Sequence, residues 1–199
     1  RNHPLSKNMQ IPEGIKEERR IMEPLKSVAS SIIDTTNMKP KDLKEEIEKI
    51  VKGLAQRIGK DYEGRNPLFV VMLNGSFVFA ADFLRSLDFV ADVAFVRYSS
   101  YVGMNTVGVA SCDIVIPEHV KGRNVIVVED IVDSGVTMAQ FMKDIKGLNP
   151  ESVALMTLLF KPDSLRENVK VDYVGKAIEN RFVVGYGLDY DGLGRNLDA

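Results

Sequence analysis

The chain has 199 residues, of which 45% are hydrophobic and 27% are charged, with a formal net charge of −2. At this length, that balance is typical of a globular protein with one α/β domain of ordinary size. The nearly neutral charge argues against general binding to nucleic acid, and no apolar run reaches the roughly 20 residues that a membrane-spanning helix requires. The single cysteine, Cys112, cannot form an internal disulfide, which predicts a cytoplasmic location. Only two histidines occur, His3 and His119, so a histidine metal cluster or a Ser-His-Asp triad is not expected.

Residues 1–40 are polar and are interrupted by prolines at positions 4, 12, 24 and 40. We interpret them as an extension that does not fold independently, with a short helix near residues 15–22 and a strand near residues 31–34. Residues 41–199 are predicted to form one domain, since they contain no internal repeat and no low-complexity tract.

Helical and extended segments alternate along that domain. Apolar residues recur on one helical face between Leu43 and Ile58, which predicts an amphipathic helix over residues 41–58. Further helices are predicted over residues 77–87 and 138–146. The predicted strands are residues 68–73, 89–98, 109–116, 125–129, 152–160, 171–178 and 182–186. This alternation predicts an α/β fold with a mainly parallel central sheet flanked by helices and joined by right-handed crossovers.

The segment from Val125 to Thr137, VIVVEDIVDSGVT, carries the strongest chemical signal. Its four leading apolar residues predict a buried strand, and the acids Glu129 and Asp130 follow at the carboxyl end, where open α/β sheets bind ligands. A third acid, Asp133, precedes a small turn and a helix. Carboxylates accept hydrogen bonds from vicinal hydroxyls or bind a hard cation such as Mg²⁺.

The turn after Asp133 predicts a phosphate-binding loop. Backbone N–H groups at the start of a helix lack partners and carry partial positive charge, so they bind phosphate well. Gly135 allows the backbone to approach a ligand closely, and Ser134 and Thr137 add hydroxyl donors. The chain has no Walker A motif and no Gly-x-Gly-x-x-Gly after a strand, which argues against a P-loop nucleotidase and a dinucleotide fold. Alone, the segment favours sugar phosphate binding over an N-capping Asp in a solvated acidic turn.

The pattern Glu-Asp-x-x-Asp-Ser-Gly-x-Thr between a strand and a helix resembles the phosphoribosyl pyrophosphate (PRPP) motif of the type I phosphoribosyltransferases. From about residue 40 onward, further blocks in the same order resemble the hypoxanthine-guanine branch of that family. The resemblance implies the family's fold, with a small hood formed by terminal segments. It also implies these PRPP-binding residues: Glu129, Asp130, Asp133, Ser134, Gly135, Val136 and Thr137. Glu129 and Asp130 would hold the ribose hydroxyls, and the rest would hold the 5′-phosphate.

Three other blocks are implied to bind pyrophosphate. Leu73-Asn74-Gly75-Ser76 resembles the loop that holds pyrophosphate through backbone N–H groups, often with a cis peptide between its first two residues. Asn74 stands where many members have Lys or Arg, so the resemblance implies a backbone role there and not a charged contact. Ser100 and Tyr101 match a Ser-Tyr segment that closes over the reaction centre. Arg195 matches an arginine that contacts pyrophosphate, which guanidinium binds in a bidentate manner.

The remaining blocks are implied to bind the purine base. Lys161, which follows a predicted strand, would donate to a 6-oxo group, although a lone lysine at a strand end is usually solvated. Phe182 would stack on the base, although a phenylalanine at a strand start is usually part of the core. Val183 would contribute backbone groups, and Asp189 would lie near the base. Glu129, Asp130 and Asp189 are the implied ligands of a Mg²⁺ cofactor.

The resemblance implies an enzyme of purine salvage. It would transfer the 5-phosphoribosyl group from PRPP to N9 of hypoxanthine or guanine, giving IMP or GMP and pyrophosphate, with Asp133 as general base or acid at purine N7. The family implies a homodimer or homotetramer, with no nucleic acid or membrane partner. The alternatives are a phosphoribosyltransferase for xanthine or another base, a PRPP-binding regulator of the same fold, and a purely structural domain.

Overall fold

The computed structural model describes residues 40–99, 111–112, 120–180 and 182–197. The helix predicted near residues 15–22, the strand predicted near residues 31–34, and the site residues Ser100 and Tyr101 lie outside the described residues.

The described residues form three α-helices and six strands. The helices are α1 (Pro40–Asp61), α2 (Phe77–Arg85) and α3 (Val136–Lys146). The strands are β1 (Leu68–Leu73), β2 (Asp92–Ser99), β3 (Ser111–Cys112), β4 (Asn124–Val132), β5 (Ser152–Phe160) and β6 (Tyr173–Ala177). A short 3₁₀ helix, Pro162–Ser164, follows β5.

The strands form one sheet in the order β3-β2-β1-β4-β5-β6. The pairs β2-β1, β1-β4, β4-β5 and β5-β6 are parallel, and β3 pairs with β2 antiparallel. The mainly parallel α/β sheet predicted from the alternating pattern is therefore confirmed. None of the described helices is long and apolar enough to cross a membrane.

Helices cover both faces of the sheet, which explains the continuous apolar runs of β1 and β4. Phe69 and Val71 of β1 pack on one side against α1 and α2, where Phe79 and Phe83 are fully buried. The alternate β1 residues pack on the other side against α3, where Phe141 is fully buried. A strand that is buried on both faces has no polar alternation, so its sequence predicts its position well.

Several predicted boundaries differ from the structure by a few residues. The helix predicted over residues 77–87 ends at Arg85, and the helix predicted over 138–146 begins at Val136. The strand predicted over residues 89–98 begins at Asp92, and the one predicted over 171–178 covers Tyr173–Ala177. Of the strand predicted over residues 109–116, only residues 111–112 are described, and they are extended. Strands β1 and β5 match their predicted bounds.

The strand predicted over residues 182–186 is wrong. In the described part of the chain, this segment has isolated bridge residues at Phe182 and Gly185 in place of a strand, and Gly185 pairs with Leu188 across a turn. Gly185, Tyr186 and Gly187 have φ angles of 99°, 51° and 100°. Such left-handed conformations are incompatible with an extended strand. The apolar run had the composition of a strand, but the two glycines let the chain turn instead.

Candidate active site

A cavity of about 380 Å³ lies at the carboxyl edge of the sheet, beyond β1, β4 and β5. Eleven of the sixteen predicted site residues line it: Asn74, Gly75, Glu129, Asp130, Asp133, Thr137, Lys161, Phe182, Val183, Asp189 and Arg195. They come from segments that are far apart in sequence. Because parallel strands end at the same edge of a sheet, the fold brings these segments together.

The loop from Leu73 to Ser76 connects β1 to α2 along one wall of the cavity. The peptide bond between Leu73 and Asn74 is cis, as the resemblance implies. The α-carbon of Gly75 lies against the carboxylate of Asp130, so a Cβ at this position would overlap that carboxylate. The carbonyl oxygen of Gly75 in turn lies against the α-carbon of Gly187. The loop is thus packed tightly between the acidic pair of β4 and the turn near the C-terminus.

The sequence predicted that the acidic pair lies at the carboxyl end of β4. In the structure the pair lies inside the strand, because β4 continues to Val132. Ile131 and Val132 pair with Leu159 and Phe160 of β5, which extends the strand past the acids. Since side chains alternate along a strand, Glu129 and Asp130 point to opposite faces. Both nevertheless reach the cavity lining, because it wraps around this end of the strand.

The environment of the acidic pair disfavours negative charge. Burial, followed by the charge of Asp130, raises the pKa of Glu129 well above its ordinary value. The Ser76 hydroxyl lies 3.4 Å from Glu129 Oε2 and partly offsets that effect. Burial also raises the pKa of Asp130, although the Ile131 N–H donates to its carboxylate at 2.9 Å. Asp130 is buried and Glu129 is half-buried, and two such adjacent carboxylates favour binding of hydroxyl donors or a cation.

Lys161 is buried and paired with Asp133. Its ammonium nitrogen lies 2.6 Å from Asp133 Oδ2, and the two side chains are 7% and 50% exposed. The Lys161 N–H also donates to the carbonyl of Val132 at 3.0 Å, which holds the end of β5 beside the end of β4. The alternative of a solvated strand-end lysine is therefore wrong for this chain.

The predicted phosphate loop leads from Asp133 into α3. Gly135 precedes the helix with a φ of 76°, in the left-handed region that favours glycine. The Ser134 carbonyl accepts the N–H of Arg166 at 2.9 Å, so the loop packs against the segment after the 3₁₀ helix. Thr137 lines the cavity, whereas Ser134, Gly135 and Val136 lie outside its lining. Their contact with a phosphate stays a prediction.

The C-terminal segment closes the opposite wall. Phe182 lines the cavity, and its ring meets the ring of Tyr190 edge-on, with centroids 5.5 Å apart. Arg195 pairs with Asp189 at 2.6 Å and donates to the carbonyl of Gly187 at 2.8 Å. Asp189 also accepts the N–H of Gly192 at 2.7 Å. An ion pair therefore joins Asp189, which is predicted to bind near the base, directly to Arg195, which is predicted to bind pyrophosphate.

Six residues that line the cavity were not predicted as site residues: Met72, Leu73, Tyr98, Ile131, Met138 and Leu188. Most are sequence neighbours of predicted residues, so their position beside a motif was the available signal. Tyr98 is the least expected. Its hydroxyl donates to Asp144 of α3 at 2.7 Å, and its ring meets Phe141 edge-on at 5.1 Å. These contacts hold the Tyr98 ring as a wall of the cavity.

The donor set fits a hard cation that keeps part of its own hydration. Glu129, Asp130 and Asp189 offer carboxylate oxygens, which Mg²⁺ prefers. Among the described residues, no three acidic, histidine or cysteine side chains cluster closely enough to enclose a metal ion. Mg²⁺ usually binds through one or two carboxylates together with waters and substrate oxygens. Such an open site matches this arrangement, and the three predicted ligands stay a prediction.

The fold and the cavity define an α/β protein with a ligand-sized site at the carboxyl edge of its sheet. A family model described as the phosphoribosyl transferase domain matches residues 41–191. The chain belongs to this phosphoribosyl transferase family, as the motif around Asp130 predicted. A second model, described as the RapZ-like N-terminal domain, matches residues 1–55, most of which precede the described part of the chain.

Curated relatives carry purine phosphoribosyltransferase names. The chain is 36% identical to the hypoxanthine-guanine phosphoribosyltransferase of Mycobacterium tuberculosis, over 82% of this chain and 87% of that protein. It is 34% identical to the hypoxanthine-guanine-xanthine phosphoribosyltransferase of Tritrichomonas foetus, over 77% and 84%. It is also 41% identical to the bifunctional protein TilS/HprT of Listeria monocytogenes, over 77% of this chain. The chain spans only 24% of the length of that bifunctional relative.

Solved structures agree with these relatives. A hypoxanthine-guanine phosphoribosyltransferase from Bacillus anthracis is 37% identical, with a TM-score of 0.71 over 77% of this chain and 89% of that one. A hypoxanthine phosphoribosyltransferase from Trypanosoma cruzi, solved with the product IMP, is 34% identical, with a TM-score of 0.72 over 77% and 87%. The type I phosphoribosyltransferase fold is therefore shared.

Proposed function

We propose that the chain catalyses the Mg²⁺-dependent transfer of the 5-phosphoribosyl group from PRPP to N9 of hypoxanthine or guanine. The products would be IMP or GMP and pyrophosphate, as in purine salvage. The observation that carries this proposal is the single cavity lined by residues from the separate blocks around positions 74, 130, 161, 182 and 195. The names of the relatives support the same reaction.

In this proposal the ribose and its 5′-phosphate bind along the end of β4. Glu129 and Asp130 accept hydrogen bonds from the ribose hydroxyls, and the loop from Asp133 to Thr137 holds the phosphate. Substitution at C1′ passes through an oxocarbenium-like state, as in glycoside hydrolysis. Fixing both ends of the sugar holds C1′ between the purine and the leaving pyrophosphate, which lowers the entropic part of the barrier.

The purine lies between Phe182 and the Lys161–Asp133 pair. Lys161 donates to the 6-oxo group and cannot satisfy the donor amino group of adenine. Asp133 holds or moves a proton at purine N7. Phe182 stacks on the ring, and Val183 offers backbone groups to the base edge. The 2.6 Å separation of Lys161 and Asp133 suits two atoms that are neighbours on one edge of a purine.

The leaving pyrophosphate binds at the loop from Leu73 to Ser76 and at Arg195. Guanidinium forms paired hydrogen bonds to phosphate oxygens. Arg195 would then exchange its contact with Asp189 for the pyrophosphate. A Mg²⁺ ion held by Glu129, Asp130 or Asp189 would supply Lewis-acid stabilisation of the leaving oxygens. Ser100 and Tyr101 are proposed to exclude water from the reaction centre.

The proposal extends to a cytoplasmic location and to assembly as a homodimer or homotetramer. The single cysteine in the sequence supports the first. The family resemblance is the support for the second, and sedimentation of the purified protein would test it.

The direct test is an assay of the purified chain with PRPP, Mg²⁺ and one base at a time: hypoxanthine, guanine, xanthine or adenine. Nucleotide formation and pyrophosphate release are followed together. We expect turnover with hypoxanthine or guanine and none with adenine. Turnover with xanthine alone would show that xanthine, and not hypoxanthine or guanine, is the substrate. PRPP binding without turnover on any base would favour a regulator of the same fold.

A further inference from the structure

Tyr186 lies in the turn that connects the two elements proposed to bind pyrophosphate. The carbonyl oxygen of Gly75 lies against the α-carbon of Gly187, and Arg195 donates to the carbonyl of Gly187 at 2.8 Å. The N–H of Gly187 in turn donates to the carbonyl of Arg195 at 2.9 Å. Gly187 therefore contacts both the loop after β1 and the arginine, so the position of this turn sets the separation of the two.

The side chain of Tyr186 anchors the turn to helix α2. Its hydroxyl donates to Asp82 Oδ2 at 2.6 Å, although 104 positions separate the two residues along the chain. Burial, followed by this hydrogen bond, raises the pKa of the Tyr186 hydroxyl above its ordinary value, so the group stays a donor at neutral pH. Helix α2 begins directly after the loop from Leu73 to Ser76, so the hydrogen bond ties the turn to the continuation of that loop.

Open space borders the turn at both of its ends. Leu188 lines the active-site cavity, whereas Tyr186 and Asp82 line a second cavity of about 960 Å³, and Arg195 lines both cavities. Tyr186 also has a φ of 51°, a left-handed conformation that is uncommon for a bulky side chain. Such a conformation persists only where the surrounding contacts impose it. The hydrogen bonds of Tyr186, which include donation from its N–H to the carbonyl of Leu197 at 3.0 Å, are contacts of that kind.

We propose that Tyr186, through its hydrogen bond to Asp82, is a positioning residue that aligns Arg195 with the loop after β1 for the binding of a diphosphate anion. Tyr186 is not among the described residues that line the active-site cavity, so it acts through Gly187 and does not touch the ligand. Without the hydrogen bond the turn can shift, and the arginine and the loop then no longer meet both phosphate groups at once. The inference rests on the proposed pyrophosphate role of Arg195 and of the loop.

The test compares Tyr186→Phe with wild type by calorimetry, with inorganic pyrophosphate in Mg²⁺ and, separately, with IMP. Phenylalanine keeps the ring and removes only the hydroxyl, so the variant should fold. We expect pyrophosphate to bind about tenfold more weakly, as for the loss of one hydrogen bond to a charged group. Binding of IMP, which carries no diphosphate, should be unchanged. A general loss of structure would weaken both.

Tyr173→Phe is the matched control. The Tyr173 hydroxyl donates to Asp61 Oδ2 at 2.9 Å, and neither residue is among the described residues that line the active-site cavity. This variant loses a comparable tyrosine–aspartate hydrogen bond, so it should lose stability and still bind pyrophosphate like wild type. Asp82→Asn keeps an acceptor oxygen and should retain most of the affinity, whereas Asp82→Leu should behave like Tyr186→Phe. Because the two residues act as a pair, the double variant should bind no more weakly than either single variant.

Wild-type affinity for pyrophosphate in Tyr186→Phe would overturn the inference while leaving pyrophosphate binding intact. Equal losses for pyrophosphate and IMP in that variant, or the same loss of pyrophosphate binding in Tyr173→Phe, would also overturn it. Additive losses in the double variant of Tyr186 and Asp82 would show that the two residues do not act together, against the proposal. Failure of the wild-type chain to bind pyrophosphate in Mg²⁺ would instead reject the proposed pyrophosphate site, and the inference with it.

Discussion

The ammonium group of Lys161 lies 2.6 Å from the carboxylate of Asp133, although 28 positions separate the two residues along the chain. The lysine side chain is 7% exposed. A buried ammonium is costly without a paired counter-charge. Asp133 is therefore both the group proposed to act at purine N7 and the counter-ion of the group proposed to read the 6-oxo oxygen. In the proposed reaction, recognition of the base and proton transfer to it would be coupled through this pair.

Replacing Asp133 with Asn should lower turnover by about 10²–10⁴-fold, because the amide cannot exchange a proton and leaves Lys161 without its counter-charge. PRPP binding should remain largely intact, since the other ribose and phosphate contacts persist. Steady-state kinetics and calorimetry with PRPP measure the two effects. Asp163→Asn, at an exposed acid of the nearby 3₁₀ helix, is the control. Unchanged turnover in Asp133→Asn would reject the catalytic role.

Replacing Lys161 with Gln should relax the choice of base. The ammonium is a donor only, whereas a glutamine amide can also accept a hydrogen bond from the amino group of adenine. We expect the kcat/KM ratio of hypoxanthine to adenine to fall by at least about tenfold, which corresponds to one lost discriminating hydrogen bond. Competition between the two bases measures that ratio, with Lys121→Gln as the exposed control. A ratio equal to that of wild type would show that Lys161 does not read the base.

Hydrophobic patterning predicted the elements that are buried on both faces. The bounds of β1 follow from an uninterrupted apolar run, and those of β5 from a run in which Thr157 is the one polar residue after Ser152. The same patterning ended β4 at Glu129, three residues too early. Ile131 and Val132 belong to the strand because they pair with β5, which is distant in sequence. Local sequence carries no signal for such a contact.

The resemblance to a family predicted which blocks form the site, but not how their side chains pair. The burial of Lys161 depends on Asp133, and the ion pair of Arg195 depends on the turn that begins at Gly185. That turn was predicted as a strand because its apolar residues outweighed its glycines. Tyr98 was missed because its place in the cavity wall depends on Asp144 of α3. Each of these features depends on a contact between segments that are distant in sequence.

Removing the charge of Glu129 should stabilise the fold at neutral pH. Burial raises the pKa of Glu129 above its ordinary value of 4.5, so the folded state binds more protons than the unfolded state over the interval between these pKa values. Stability therefore falls as pH rises from about 4.5 through the raised pKa. Glu129→Gln removes that loss, so its melting temperature should exceed that of wild type at pH 7.5 and match it near pH 4. Each kcal/mol of relief raises the melting temperature by about 2–4 °C.

The measurement of Glu129→Gln is thermal unfolding across pH in a chelator, so that no cation compensates the wild-type carboxylate. The variant should lose activity while it gains stability, because the Glu129 charge that destabilises the folded state is the one proposed to hold the ribose. A melting temperature below wild type at pH 7.5, in a variant with a native circular dichroism spectrum, would contradict this. Glu151→Gln, at an exposed acid, controls for a general effect of net charge.

Adding a methyl group to Gly75 should displace Asp130. A Cβ at this position would overlap the carboxylate of Asp130, and Gly75 itself does not have a positive φ, so the effect is steric and does not involve backbone strain. A shift of about 1 Å in a positioning group can lower activity by about 10²-fold. We expect Gly75→Ala to reduce kcat/KM for PRPP by about that factor.

Gly53→Ala is the matched control for this prediction. A Cβ on Gly53, in the interior of α1, meets no atom within 4 Å. Alanine in a helix interior is more stable than glycine by roughly 0.5–1 kcal/mol, so this variant should melt slightly higher and keep full activity. Kinetics with PRPP and thermal unfolding of both variants separate the two cases. Wild-type kinetics in Gly75→Ala would mean that Asp130 can move without consequence, and its proposed contact with the ribose would then be wrong.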